Sequence, residues 1–488
     1  MSCCPLLLRF AAPLAVLVGL AGCSDREDRR VEVAVIGDPA SPFISGPRLP
    51  IGAQLIRSAT VEGLVGFDEQ GRVIPALADR WIVTDDGKSY IFRLRDGTWP
   101  DGSAITGDSA RSALIKVMSG LRGTSLGADL AGIEEVRTMA GRVLEIRLIG
   151  PVPDLLQLLA QPELGLAYKG RGAGPMKLSR ERQVAALTPI PPEDRGLPNE
   201  EEWAGRARLL HLHALSASTA IARFDQGETD IVLGGRIEDF PLLDIAGLSR
   251  GAIRLDPVSG LFGLAVLHAD GFLANPANRE ALAMAIDRNA LIDAFSVGGW
   301  AASTRIVSPG SEGDLETIGE RWTDLSMAQR RAAAAARVSR WRGGVVLRIA
   351  LPAGPGADVL FGRLQEDFKA IGLGSRRVSE GAPAELRLVD LVARYSRTSW
   401  FLHQLSCTNA RALCSSAADT RAAQARAATD ASSRAALQAE AEAELTSANV
   451  FIPFGPPIRW SLISGDVTGF APNRWGIHPL MPLAMRTK

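Results

Sequence analysis

The run Leu261-Phe262-Gly263-Leu264-Ala265-Val266-Leu267 is apolar throughout. A strand with one solvated face alternates apolar and polar side chains. A continuous run reads instead as a strand buried on both sides, the kind found inside α/β layers. The chain around it has matching parts. Val31 to Ile36 alternates and reads as a first strand, leading into the turn-rich Gly37-Asp38-Pro39-Ala40-Ser41-Pro42. Ser58 to Val65 reads as helical. Asp85-Asp86-Gly87 separates two alternating strands, Trp81–Thr84 and Ser89–Leu94, as in a hairpin. Thr106 can N-cap a helix that runs towards Met118. With 488 residues, 46% of them hydrophobic, the chain has material for roughly three domains with well-filled cores. Its 54 Lys and Arg balance 54 Asp and Glu, so charge gives no support to nucleic-acid binding.

Phe10 to Leu20 is an apolar stretch of eleven residues behind the single charge of Arg9. That is too short for a bilayer core of about 30 Å but suits the apolar region of a signal peptide. It ends Leu20-Ala21-Gly22-Cys23, which resembles the bacterial lipobox. Residues 1–22 are therefore expected to be a lipoprotein signal peptide, with Cys23 the lipid-modified N-terminus. An ordinary secretory signal with an incidental cysteine is the alternative. No later segment is apolar for about eighteen residues, so the expected anchor is lipid alone. In an oxidising compartment, Cys407 and Cys414 are candidates for a disulfide. Closing that short loop would add about 2.5 kcal/mol on the chain-entropy model. Two free, buried thiols are the alternative, and two cysteines alone do not make a metal site.

Between Ala59 and Leu114 the motifs occur in an order that resembles a known family. Glu62-Gly63-Leu64 matches an "EGL" helix, Pro75 to Trp81 a "PALA-x-x-W" segment and Asp85-Asp86-Gly87 a "DDG" turn. Phe92 to Gly97 matches "F-x-LR-x-G", and Asp101 to Asp108 matches "DG-x-x-x-T-x-D". Further along, Gly172 to Pro175 resembles a "GTGP" turn and Gly227 to Ile231 resembles "GE-x-DI". Asn278 to Arg288 resembles "R-x-AL-x-x-AID", and Phe361 to Gly372 resembles the "IGI" helix that precedes a strand. This is the pattern of the family 5 extracellular solute-binding proteins, the oligopeptide- and dipeptide-binding group of ABC importers.

The resemblance implies a type II periplasmic binding protein fold, α/β, with two lobes joined by hinge strands and a small inserted domain. Mapped here, lobe I would comprise residues 24–58, 166–262 and 451–488, the insert 59–165, and lobe II 263–450. The crossing segments would be near Leu261–Leu267 and Val450–Phe454. Ligand would be buried between the lobes on closure.

In peptide-binding relatives an Asp in a "W-x-x-DY-x-x-P" segment pairs with the ligand's ammonium. The corresponding stretch here is Leu391-Val392-Ala393-Arg394-Tyr395, which puts Leu391 at the tryptophan position and Arg394 at the aspartate position. A guanidinium cannot accept from an ammonium, so a free peptide N-terminus is disfavoured and a carboxylate suits Arg394 better. Alternatively Arg394 faces solvent and the ligand is neutral, or a slip in alignment makes Asp390 the substitute. Phe43 falls on the first ligand-facing loop and His268 at the exit of a hinge strand, so either lines the cleft or supports packing.

His211 and His213 would face one side of a strand, where both could meet one metal. No carboxylate or cysteine stands near them in sequence, so no metal and no cofactor is expected. The chain has no P-loop, HExxH or CxxC motif, and an enzyme is not expected. The expected function is a monomeric, lipid-anchored receptor at the periplasmic or outer cell surface. It would capture a peptide, peptide-like or anionic solute and deliver it to ABC permease subunits. A ligand sensor or a degenerate binding lipoprotein is the alternative.

Overall fold

The computed structural model describes residues 30–243, 251–409, 411–465 and 467–486. Cys23 and the expected signal peptide lie outside the described residues. Three large sheets organise the rest. The first has seven strands in the order Met176–Glu181, Val184–Pro189, Leu209–Leu215, Arg30–Ile36, Ile231–Gly235, Trp460–Ile463 and Ile253–Leu255. Arg30–Ile36 is parallel to both its neighbours, and the outer pairings are antiparallel. The second sheet has five strands in the order Gly374–Ser379, Val346–Leu351, Leu386–Val392, Gly260–Val266 and Phe451–Gly455. Its first three strands are parallel and its last two pair antiparallel. A four-stranded antiparallel sheet, Ala78–Val83, Ser89–Leu94, Val143–Leu148 and Ile133–Ala140, is carried by the chain between strands Arg30–Ile36 and Met176–Glu181 of the seven-stranded sheet.

Alternation in the first strand decides what covers it. Val31, Val33 and Val35 point to one face and pack with Leu55, Ile56 and Ala59 of helix Ile51–Thr60. Ala34 points to the other face and packs with Ala220 and Ile221 of helix Ala217–Asp225. In the second sheet the uniformly apolar strand Gly260–Val266 is buried at every position. The helix from Thr106 forms as the sequence requires. Thr106 Oγ1 accepts from Ser109 N at 3.2 Å, and Ser109 Oγ accepts from Thr106 N at 3.0 Å. It runs Gly107–Gly120. Among the described residues no helix is long and apolar enough to cross a membrane.

Two local readings shift. Ser58 to Val65 is not one helix: helix Ile51–Thr60 ends inside it, and Val65–Phe67 is a strand. Gly63 marks the break, since a Cβ there would meet the carbonyl oxygens of Val65 at 2.9 Å and Leu159 at 3.0 Å. The segments expected at the crossings pair with one another inside the second sheet, Leu264 opposite Ile452 and Ala265 opposite Phe451. The chain changes sheets a few residues away, at 256–259 and at 456–459. Gly260 opens the way at the first crossing, where a Cβ would stand 1.9 Å from the Leu391 carbonyl oxygen.

Candidate functional site

In open α/β sheets ligands gather beyond the carboxyl ends of the parallel strands. Arg236 directly follows the parallel strand Ile231–Gly235 of the first sheet, and Asp390 stands near the end of Leu386–Val392 in the second. Arg236 donates to Asp390 Oδ2 from Nε at 3.0 Å and from Nη2 at 2.8 Å. Arg459, in the second crossing, donates from Nη1 to both carboxylate oxygens at 2.8 and 3.1 Å. The carboxyl ends of the two sheets therefore face each other across this clasp. Burial alone would lower the Arg236 guanidinium, but Asp390 and Glu238 outweigh it and hold it above its usual value. Glu238 itself is raised, chiefly by burial. Gly356 N donates to the Glu238 carbonyl at 2.8 Å, which sets the start of helix Pro355–Ala370 at the same junction.

A second cluster joins the four-stranded region to the loop after Leu386–Val392. Asp129, at the end of helix Ser125–Asp129, has a fully buried side chain. Its Oδ1 accepts from Tyr395 Oη at 3.2 Å and meets His403 Nδ1 at 2.6 Å. Its Oδ2 is 3.6 Å from Arg394 Nη1, which also donates to Ser125 Oγ at 3.0 Å. Burial first, then Asp129 and Asp154, push the Tyr395 hydroxyl well above its usual value. Glu163 is buried nearby and receives Gln54 Nε2 at 3.2 Å. Burial raises its carboxyl despite the opposing field of Arg394 and Arg57.

The structure brings Arg394 and Tyr395 together on Asp129, and sets Leu391 beside the Asp390 clasp with 44% of its surface exposed. Arg394 is thus already paired on one edge, while its side chain stays 28% exposed. Asp390 is not available to an ammonium, because two guanidinium groups occupy both its oxygens. Phe43 lies in the turn Ser41–Phe43 beyond the first strand, with the Arg180 guanidinium 4.0 Å from its ring centre. His268 does not join these residues. It follows the far end of Gly260–Val266, roughly 20 Å of strand from the crossing, and bonds the Ala384 carbonyl at 3.0 Å. Cys407 and Cys414 are joined by a disulfide between helices Thr398–Gln404 and Ser416–Ala427.

Sequence reasoning missed Ser125, Asp129, His403, Arg236 and Arg459. Only Arg236 left a local trace, as the first charge after the apolar strand Ile231–Gly235. It also missed the partner of the histidine pair. Glu32 sits on the neighbouring strand and meets His211 Nδ1 at 3.2 Å and His213 Nε2 at 3.0 Å, so a carboxylate does join them in space. A separate cavity of about 350 Å³ lies at the far end of helix Ile51–Thr60 from Phe43, lined in part by Glu62, Asp68, Arg195 and Pro479. None of the expected site residues faces it.

Comparison with known proteins completes the site. The family described as bacterial extracellular solute-binding proteins, family 5 Middle, matches residues 72–181 and 198–375. The chain is 36% identical over 121 residues to the "Probable deoxycholate-binding periplasmic protein YgiS" of Escherichia coli, covering 21% of this chain and 23% of that one. It is 24% identical over 366 residues to Di/tripeptide-binding protein 1 of Pseudomonas aeruginosa, covering 65% of each. These alignments span less than two thirds of the relatives' lengths. The solved structure of the E. coli murein tripeptide binding protein MppA superposes with a TM-score of 0.80 at 20% identity, covering 94% of this chain and 98% of that one. That likeness shows the fold, a type II periplasmic binding protein.

Proposed function

The chain belongs to the bacterial extracellular solute-binding proteins of family 5, whose members bind rather than transform their ligands, and from that membership we propose that it is the receptor of a peptide-type ABC importer. Its crevice is the junction between the carboxyl ends of the two sheets, with Arg236, Asp390 and Arg459 at the floor and Leu391, Arg394 and Phe43 on the walls. Closure about 256–259 and 456–459 would bury the solute, and the closed form would dock on membrane permease subunits. In this reading residues 1–22 are a signal peptide, Cys23 carries the lipid, and the tethered protein works as a monomer outside the cytoplasmic membrane.

The observation that carries the ligand class is the occupation of both oxygens of Asp390 by Arg236 and Arg459, next to a cation at position 394. No free carboxylate is left among these crevice residues for a peptide ammonium. The exposed edge of Arg394 suits a carboxylate. The solute is therefore anionic or peptide-like without a free N-terminus. Of the relatives, the one named for deoxycholate, a carboxylate, fits that range, whereas the one named for di- and tripeptides does not.

Native mass spectrometry of Ser24–Lys488, purified without denaturation, tests this reading. A retained anion, with binding weakened more than tenfold by Arg394→Asp, supports it. A retained peptide with a free ammonium overturns the assignment. An empty protein with no thermal shift from a panel of peptides, N-acetyl peptides and carboxylates moves the reading to a sensor or a degenerate lipoprotein. The anchor is tested separately: Cys23→Ser should release the protein from membranes.

A further inference from the structure

Three residues on the first sheet form an arrangement that the crevice does not use. Arg30–Ile36 runs parallel to Leu209–Leu215, with Glu32 paired to His211 and Ala34 to His213. Side chains alternate along a strand, so Glu32, His211 and His213 share one face, opposite the buried Val31, Val33, Leu210 and Leu212. Glu32 Oε1 is 3.2 Å from His211 Nδ1, and Glu32 Oε2 is 3.0 Å from His213 Nε2. One donor atom from each of the three lies within 4.8 Å of the others. Their side chains are 19%, 15% and 24% exposed, deep enough to be held and open enough to admit an ion with water.

The donor set selects the ion. Two imidazole nitrogens and one carboxylate oxygen suit zinc and its first-row neighbours, whereas calcium and magnesium prefer oxygen donors alone. Bond lengths near 2.0–2.2 Å require donors about 3–4 Å apart around one centre. The carboxylate already stands at that separation from each ring, and a small rotation of the imidazoles closes the remainder. The scaffold is rigid, because both strands are interior to the seven-stranded sheet. The next strand places the small Ala186 beside His211 and Val184 beside His213. Arg30 Nε holds Glu32 Oε1 at 2.8 Å, but this arm is half exposed and can turn outward when a cation arrives.

We propose that Glu32, His211 and His213 bind one divalent first-row transition-metal ion, of the zinc, cobalt or nickel class, with water completing its coordination. The site is separate from the crevice: Glu32 lies roughly 13 Å of strand before the carboxyl end of Arg30–Ile36. It stands whether or not the crevice takes the solute proposed for it. Its bound ion would clamp the first strand to its neighbour.

The test uses the untagged full chain in detergent, stripped with chelator and dialysed against Zn²⁺ or Co²⁺. One tightly held equivalent is expected, with visible Co²⁺ absorption of a low-coordinate nitrogen–oxygen site. His211→Ala with His213→Ala should abolish that equivalent, Glu32→Gln should weaken it at least tenfold, and His268→Ala should leave it intact. Protection of His211 and His213 from diethylpyrocarbonate by Zn²⁺, read by peptide mass spectrometry on the wild-type chain, gives the same answer without a substitution. No bound metal, a metal retained by the double variant, or labelling unchanged by Zn²⁺ would each overturn the proposal.

Discussion

Asp390 and Arg236 belong to different sheets, yet Asp390 Oδ2 receives Arg236 Nη2 at 2.8 Å. Arg459 completes the grip from the return crossing, so one carboxylate ties three separate stretches of chain at the point where the sheets meet. The aspartate is almost fully buried, whereas Arg236 keeps a partly solvated side chain. The electrostatic weight of this junction therefore rests on Asp390.

Asp390→Asn leaves two guanidinium groups facing a neutral amide. Removing one partner of a fully buried pair costs about 3–5 kcal/mol, and the solvation left to Arg236 reduces this to about 2–3 kcal/mol. Urea denaturation of both proteins measures the difference. A variant as stable as the parent would mean the clasp is offset by its own desolvation.

Asp129 and Arg394 are in contact but are not equivalent. Asp129 is fully buried with three partners, whereas Arg394 is partly exposed and 3.6 Å away. Asp129→Ala should cost about 3 kcal/mol and Arg394→Ala less than about 1 kcal/mol. Equal losses in denaturation midpoints would contradict this ranking.

Glu163 supplies a signed pH dependence. Burial raises its carboxyl in the folded chain, against the field of Arg394 and Arg57. A raised carboxyl holds its proton more tightly when folded. Its contribution is present below the unfolded value of about 4.3 and is lost as pH rises through the folded value. Glu163→Gln should therefore gain stability relative to the parent between about pH 4 and about pH 7. Paired denaturation curves at the two values check the sign; a pH-independent difference would refute it.

The Cys407–Cys414 bridge closes a short loop next to the helix that carries His403. Its removal by Cys407→Ser with Cys414→Ser should lower stability by about 2.5 kcal/mol. Reductant should bring the parent down to the level of the variant and leave the variant unchanged. Thermal unfolding with and without dithiothreitol shows whether the two coincide.

What the sequence discloses is what neighbouring residues decide. Thr106 and Ser109 cap a helix within one turn, and Asp85-Asp86-Gly87 turns a hairpin whose strands follow directly. Uniform burial of Gly260–Val266 is visible in its composition. The helix before Glu62 was displaced because Gly63 packs against Leu159, a contact that local pattern does not show. Site geometry is mostly of this second kind. His211 meets a carboxylate 179 positions earlier, Arg394 an acid 265 positions earlier, and Arg236 an acid 154 positions later. Strand order and lobe packing set those meetings, and no short window of residues encodes them.

Strand Trp460–Ile463 lies between Ile231–Gly235 and Ile253–Leu255 in the first sheet, so Ile253–Leu255 has no sheet partner until it arrives. During synthesis that partner leaves the ribosome only after every strand of the second sheet has been made. The central strands Arg30–Ile36, Leu209–Leu215 and Ile231–Gly235 can pair with one another before then, but the edge strand Ile253–Leu255 must wait. Pairings this distant are slow to form. The same strand order that brings both crossings to one sheet therefore delays that sheet's completion.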